Sequence, residues 1–277
     1  MSGIIFKEEF FMRSLMKKIV SGLLITFLML INTTAESAMM SGGVTKNGIN
    51  SSNQVLDAAD NAPIENAKIT IPKNNYKTYT DSDGRFDLDT QINGDTIMSV
   101  EKDGYRPFSV TIDENLAKHP IILGIQKSNA TDIVIDSNMV HLGDDNYSTA
   151  SANAGEFKIP ACGPFYTKTF YMTASTKTAT NYLIIGSVIG IDTAMARSMG
   201  QNRITNSFAS PPEIYFNGQK IAELHLNGDG QKVKLPNALI RSEQVNEITI
   251  KSGRNMMQTA YIDYDDIEFM NLSIQSE

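Results

Sequence analysis

From residue 67 onward the chain alternates apolar and polar positions in short runs. "AKITI", "KTYT", "RFDLD", "TIMSV", "FSVTI" and "IILGI" follow one another up to residue 125. Alternation with period two puts successive side chains on opposite faces, which predicts β-strands. Turn pairs separate these runs, namely Asp83-Gly84, Asn93-Gly94 and Asp103-Gly104. The polar stretch "KSNATD" (127–132) then reads as a linker. Beyond it the pattern stays β, with "DIVI", "KTFYM", "NYLIIG", "EIYFNGQKIAEL", "QKVKL", "NEITIK" and "DIEFMNLSI". Asn217-Gly218 is the strongest hairpin signal, because both residues accept the positive φ of a tight turn. "DTAMARSMGQNR" (192–203) predicts a short helix or a long loop. Many short strands without alternating helices predict an all-β chain of sandwiches or barrels.

The closing strand breaks its own rule. In "DYDDIEFMNLSI", Asp263, Asp265, Ile267 and Phe269 share one side, and Asp266, Met270, Leu272 and Ile274 the other. The apolar face therefore changes sides near Phe269, which predicts a bulge or bend.

The N-terminus carries a different pattern. Met16 is followed by Lys17 and Lys18, an apolar stretch over 19–31, and small residues at Thr33, Ala35, Ser37 and Ala38. That stretch is shorter than the roughly 20 residues of a membrane-spanning helix and has the order of a secretory signal. Residues 1–38 are expected to be a signal peptide, 39–50 a Gly/Ser/Asn-rich linker, 51–127 a first β-sandwich and 130–277 a second. With the signal removed, no membrane span is expected, and the protein is expected to be secreted or at the cell surface.

Composition narrows the partners. The net charge is -7, and 24 basic residues are spread along the 277 positions. Nucleic acid binding needs clustered Lys and Arg, so it is not expected. Cys162 is the sole cysteine, which excludes an intrachain disulfide; it reads as a small apolar core residue.

Two resemblances follow from ordered motifs. "VLDAADNAPIENAKITI", "TYTDSDGRFDL" and "SVEKDGYRPFSVTI" resemble the carboxypeptidase regulatory-like domain, a small transthyretin-like sandwich. Pro63, Ile64 and Ala67 match its proline turn, Thr80, Asp81, Gly84 and Phe86 its central hairpin, and Gly104 with Tyr105 its closing "GY". The resemblance implies a spacer without catalytic residues. "HLGDDNY", "FYTKTFYM", "IYFNGQKIAEL", "LPNALIRSEQVNEITIKSG" and "DYDDIEFMNLSI" together are similar to a galactose-binding-like jelly roll, as in carbohydrate-binding modules. There Gln244 stands where that family usually has a glycine. This resemblance implies binding of a glycan or a cell-envelope protein.

Candidate chemistry is sparse. Tyr147, Tyr166, Tyr182 and Tyr215 are the candidate sugar platforms, set against half-buried packing on strands. Asp144 and Asp145 open the second sandwich while Asp263, Asp265 and Asp266 close it. If first and last strands are neighbours, these carboxylates converge and need a cation. A structural calcium is one solution, and a solvated, charged strand edge is the other. "DSDG" (81–84) lacks the further ligands of an EF-hand loop. The sequence has no G-x-S-x-G elbow, zinc-ligand spacing or phosphate loop. A non-catalytic protein is expected, the alternative being a secreted carbohydrate-active or peptide hydrolase. N-terminal sequencing of exported protein should find a start between Glu36 and Met39; an intact N-terminus in the envelope fraction would mean an uncleaved anchor.

Overall fold

The computed structural model describes residues 52–145, 157–174, 179–201, 209–253 and 266–277. The expected signal and linker, together with Tyr147, Asp263 and Asp265, lie outside the described residues. Among these residues the chain is all-β apart from one short helix and isolated 3-10 turns, and no helix is long and apolar enough to cross a membrane.

The first seven strands are β1 (Asn53–Asp57), β2 (Lys68–Ile71), β3 (Tyr76–Tyr79), β4 (Arg85–Phe86), β5 (Thr96–Glu101), β6 (Phe108–Ile112) and β7 (Ile122–Ile125). They form two sheets, ordered β4-β1-β7 and β3-β2-β5-β6. β1 runs parallel to β7, and the other pairs are antiparallel. Val55, Ile69, Ile71, Phe86, Met98, Val100, Leu123 and Ile125 meet between the sheets. Turn chemistry fixes this core. Thr80 Oγ1 donates to Ile64 O (2.6 Å) and accepts from Ala67 N (2.8 Å). Asp81 Oδ1 accepts from the amides of Asp83 and Arg85. Gly84 has φ +72, and a Cβ there would lie 2.5 Å from Val55 O, so only glycine lets the turn close.

The second set is β8 (Ile133–Asp136), β9 (Val140–Leu142), β10 (Phe165–Met172), β11 (Asn181–Ile189), β12 (Glu213–Phe216), β13 (Gln219–Glu223), β14 (Gly228–Lys234), β15 (Gln244–Lys251) and β16 (Ile267–Ser276). One sheet is ordered β14-β11-β16-β8 with β9 also on β16, and the other β10-β15-β12-β13. Their inner faces share Leu183, Ile185, Ile214, Phe216, Ile248, Ile250, Phe269 and Leu272. Asn217 and Gly218 take φ +48 and +81 in the β12–β13 hairpin, as their types predict. Before β15 the positive φ falls on Glu243 (+54) rather than on Gln244. Residues 194–198 form α1 (Ala194–Ser198), capped by Thr193 Oγ1 accepting from Ala196 N.

The stretch expected as a linker is tied down. Arg106 donates to Asp132 (2.7 Å) and to Gln126, Ser128 N donates to Gly104 O, and Asn129 N donates to Asp132. The two sandwiches also share a seam. Ile97 of β5 packs with Met139, Ile189 and Met270. Asn271 Nδ2 donates to Ser99 Oγ at 3.0 Å, and Ser187 Oγ lies 3.0 Å from Ser109 Oγ. At the rim, the Asp229 carboxylate accepts from Ser187 Oγ and from both Thr111 N and Thr111 Oγ1.

The face switch of the closing strand sits at Asn271, with φ +61. Ile267, Phe269, Leu272 and Ile274 all enter the second core, while Met270 and Asn271 face the first sandwich. Gly186 on β11 makes room for this. A Cβ there would lie 2.4 Å from Ser109 Oγ, 2.8 Å from Asn271 Cβ and 3.1 Å from Met270 O. Gly186→Ala should destabilise the full chain by about 1–3 kcal/mol through overpacking. That lowers the midpoint by roughly 2–12 °C in scanning calorimetry, whereas an unchanged midpoint would mean the seam is loose enough to absorb a methyl group.

Candidate functional site

β9 and β16 lie side by side with His141 opposite Glu268 and Leu142 opposite Ile267. The expected neighbourhood of the opening and closing segments is therefore present. After β9 the backbone passes directly over Asp266: a Cβ on Gly143 would lie 2.3 Å from Asp266 Oδ1 and 2.9 Å from its Cα. Asp145 then turns with φ +62, and its N–H donates to Asp266 Oδ1 at 3.1 Å. Its own carboxylate accepts from Ala161 N at 3.0 Å.

The group between these carboxylates is His141. Its Nε2 lies 2.9 Å from Asp266 Oδ1, and its Nδ1 lies 2.5 Å from Ile159 O and 3.5 Å from Asp145 Oδ1. Both His141 and Asp266 are 1% exposed. A carbonyl only accepts, so Nδ1 carries a proton. Burial pulls the imidazole pKa down, but the bonds to Asp266 and Ile159 and the nearby Glu268 charge carry it above its ordinary value. Phe157 stacks on the ring at 4.6 Å.

Of the five aspartates expected to converge, Asp145 and Asp266 meet. Asp144 is exposed beside them, and Asp263 and Asp265 are outside the described residues. The cation that clustered carboxylates require has a candidate that sequence reasoning passed over. His141 heads the same "HLGDD" segment, and its place four residues before Asp145 was the available signal. His141, Asp145 and Asp266 each offer a ligand atom, all within 4.8 Å of one another. They form a candidate His/Asp metal cluster.

Cys162 departs from expectation. It is exposed, not a core residue. Its amide donates to His141 O (2.9 Å), which fixes the strand-like backbone and leaves the side chain outside. Both nitrogens of His141 are engaged elsewhere, and His225 Nε2 sits 3.3 Å from Glu223. Neither imidazole is arranged as a base for the thiol.

The tyrosines divide. Tyr166 is buried edge-on against Phe269, and its hydroxyl donates to Asp136 Oδ2 at 2.6 Å. It is a core residue and offers no face to a sugar, because its place on β10 points inward. Tyr182 lies on β11 under Lys232 Nζ (4.0 Å from the ring centre). Tyr215 lies on β12, in the other sheet, with Lys251 Nζ at 4.1 Å and its hydroxyl on Glu213. These two do not share a platform.

Tyr215 does share one with residues that sequence reasoning did not single out. In "FYTKTFYM", alternation places Phe165, Thr167, Thr169 and Tyr171 outward. Phe165 faces Lys251 across the strands, Thr167 faces Thr249, and Tyr171 faces Val245. Phe165 (47%), Tyr171 (55%) and Val245 (56%) are among the most exposed large apolar side chains described. Lys251 stands between the Phe165 and Tyr215 rings. The Thr167 and Thr249 hydroxyls are hydrogen-bonded at 2.9 Å.

Residues 52–135 match the family model of the CarboxypepD_reg-like domain. The match covers β1 to β7 and reaches β8, which pairs with β16 in the second sandwich. No curated protein matches the chain. Among solved structures, the chain is similar to a β-D-glucuronidase from Dictyoglomus thermophilum, at 12% identity and TM-score 0.29, over 54% of this chain and 29% of that one. It is also similar to the carbohydrate-binding module CBM36 in complex with calcium and xylotriose, at 12% identity and TM-score 0.21, over 50% of this chain and 99% of that one. A third is dimeric latent PorU from Porphyromonas gingivalis, at 10% identity and TM-score 0.27, over 79% of this chain and 22% of that one. The chain thus spans under a third of the glucuronidase.

The division of the tyrosines is testable. Tyr166→Phe removes a donor from the largely buried Asp136 carboxylate and should cost about 1–3 kcal/mol in urea denaturation. Unchanged stability would mean that the Tyr166–Asp136 hydrogen bond contributes nothing to the fold.

Proposed function

We propose that the chain is an exported, non-catalytic binding protein whose second sandwich holds a glycan on the outer face of β10-β15-β12-β13. In this reading residues 51–127 are a mount of the carboxypeptidase regulatory-like kind, and residues 130–277 are a galactose-binding-like jelly roll. Its place is the cell surface or the medium.

The observation that carries the reading is one outward row in which exposed Phe165 and Tyr171 flank half-buried Tyr215, interleaved with Lys251, Thr167 and Thr249. Sugar rings have apolar C–H faces and a rim of hydroxyls. They are recognised by aromatic faces with polar groups beside them. Phe165 and Tyr171 are six residues apart on β10, about 20 Å along a strand. That length suits several consecutive sugar rings, and hence an oligosaccharide or polysaccharide chain. Regular strands hold the side chains at fixed spacing, so little ordering entropy is lost on binding. The regulatory-like sandwich supports this role through the seam of Ile97, Met139, Ile189 and Met270, which makes it a rigid mount.

A glycan array with the full chain, followed by affinity electrophoresis on the best polysaccharide, tests the proposal. Phe165→Ala and Tyr215→Ala should each weaken binding about fivefold or more, the loss of over about 1 kcal/mol typical of an aromatic anchor. Retention of no glycan, or equal retention of both variants, would sink it.

A further inference from the structure

We propose that His141, Asp145 and Asp266 form a binding site for a divalent transition metal, with zinc the best fit. The proposal is independent of the glycan reading, since these residues lie at the β9–β16 pairing and not on β10-β15-β12-β13.

Four observations point to it. First, the Nδ1–H of His141 donates to Ile159 O. This is the outer hydrogen bond that orients metal-ligating histidines, and an ion would displace the Nε2 proton that now faces Asp266 Oδ1. Second, Nε2 and Asp266 Oδ1 are 2.9 Å apart. Two ligands at about 2.0–2.2 Å from one ion sit only slightly farther from each other. Third, Asp266 Oδ2 is buried without a hydrogen-bond partner, although the residue is 1% exposed. A buried carboxylate oxygen with no donor is costly, and an ion would satisfy it. Fourth, Asp145 has a half-exposed side chain beside the buried pair. Its Oδ1 lies 3.5 Å from His141 Nδ1, so it would release Ala161 N and turn toward Nε2 to reach the ion, and it gives the site its access to solvent.

The donor set selects the metal. Calcium takes six to eight oxygens, whereas imidazole with carboxylates suits zinc and its neighbours. With Nε2 deprotonated, two carboxylates balance the charge of a divalent ion. A water completes the fourth position of a three-ligand site. The aspartate cluster thus has a role as a clip between the opening and closing segments of the second sandwich. The ion is held by an imidazole as well as by oxygens.

The test uses the untagged full chain, stripped with chelator and dialysed. Elemental analysis after zinc addition and desalting should find one zinc per chain. The melting temperature should rise with zinc and not with calcium. Asp145→Asn keeps the buried His141–Asp266 pair, so it should fold and lose zinc affinity tenfold or more. His141→Gln should abolish the zinc response. The proposal is overturned if no zinc is retained, if Asp145→Asn binds as tightly as the parent, or if calcium gives the same rise and His141→Gln keeps it. In the first case the cluster is an ion pair only; in the last it is a calcium site on carboxylates.

Discussion

One residue in the left-handed region, Asn271, decides how the described strands of the second sandwich and the first sandwich come together. Strict alternation along β16 would send either Ile267 and Phe269 or Leu272 and Ile274 away from the core. The positive φ at Asn271 shifts the parity by one, so all four enter the same core while Met270 and Asn271 turn the other way. Each large apolar side chain kept inside is worth about 1.5–3 kcal/mol. A left-handed residue without glycine costs about 1–2 kcal/mol, least for asparagine. The balance favours the bend. Its amide nitrogen then donates to Ser99 Oγ, so the seam buries this donor with a partner.

That seam explains why β5, β11 and β16 are buried on both faces. Ile97 and Ser99 of β5 face the second sandwich, and Met98 and Val100 face their own core. The close approach of β6 to β11 is set by Gly186, where a side chain would strike Ser109 and Asn271. The polar members are paired among themselves: Ser109 with Ser187, and Ser187 with Asp229, which also accepts from Thr111. Buried hydroxyls without partners would destabilise the contact; paired, they fix its register.

Local signals are legible in the sequence, and long-range ones are not. The parity change was visible in "IEFMNLSI", because it is a property of eight consecutive residues. So were the Asp81–Gly84 turn and the Asn217-Gly218 hairpin, where side-chain chemistry acts within four residues. The His141–Asp266 bond joins positions 125 apart, and only the β9–β16 pairing reveals it. The same holds for Tyr166, whose inward place depends on Asp136 and Phe269. "KSNATD" is polar enough to read as a linker, yet Arg106 and Gly104 hold it from outside the segment. The Phe165–Tyr171 row is legible only by the alternation of one strand, since residue type alone does not separate Tyr171 from inward Tyr166.

Burial of β11 and β16 on both faces also constrains where recognition can occur. A sheet packed on a core within and on a second sandwich without has little area left for a ligand. Tyr182, on that sheet, is already covered by Lys232. The outer face of β10-β15-β12-β13 has no such partner sheet in the described topology, and Phe165, Tyr171 and Val245 stay exposed on it. The His141 cluster occupies a third position, at the pairing of β9 with β16, where Asp266 joins the opening and closing segments. One sandwich thus divides three tasks by geometry. One outer face docks, the other is exposed, and the junction of its first and last segments is clamped by charge. Changes to the exposed face leave the other two intact, because strand alternation separates its side chains from the core by direction alone.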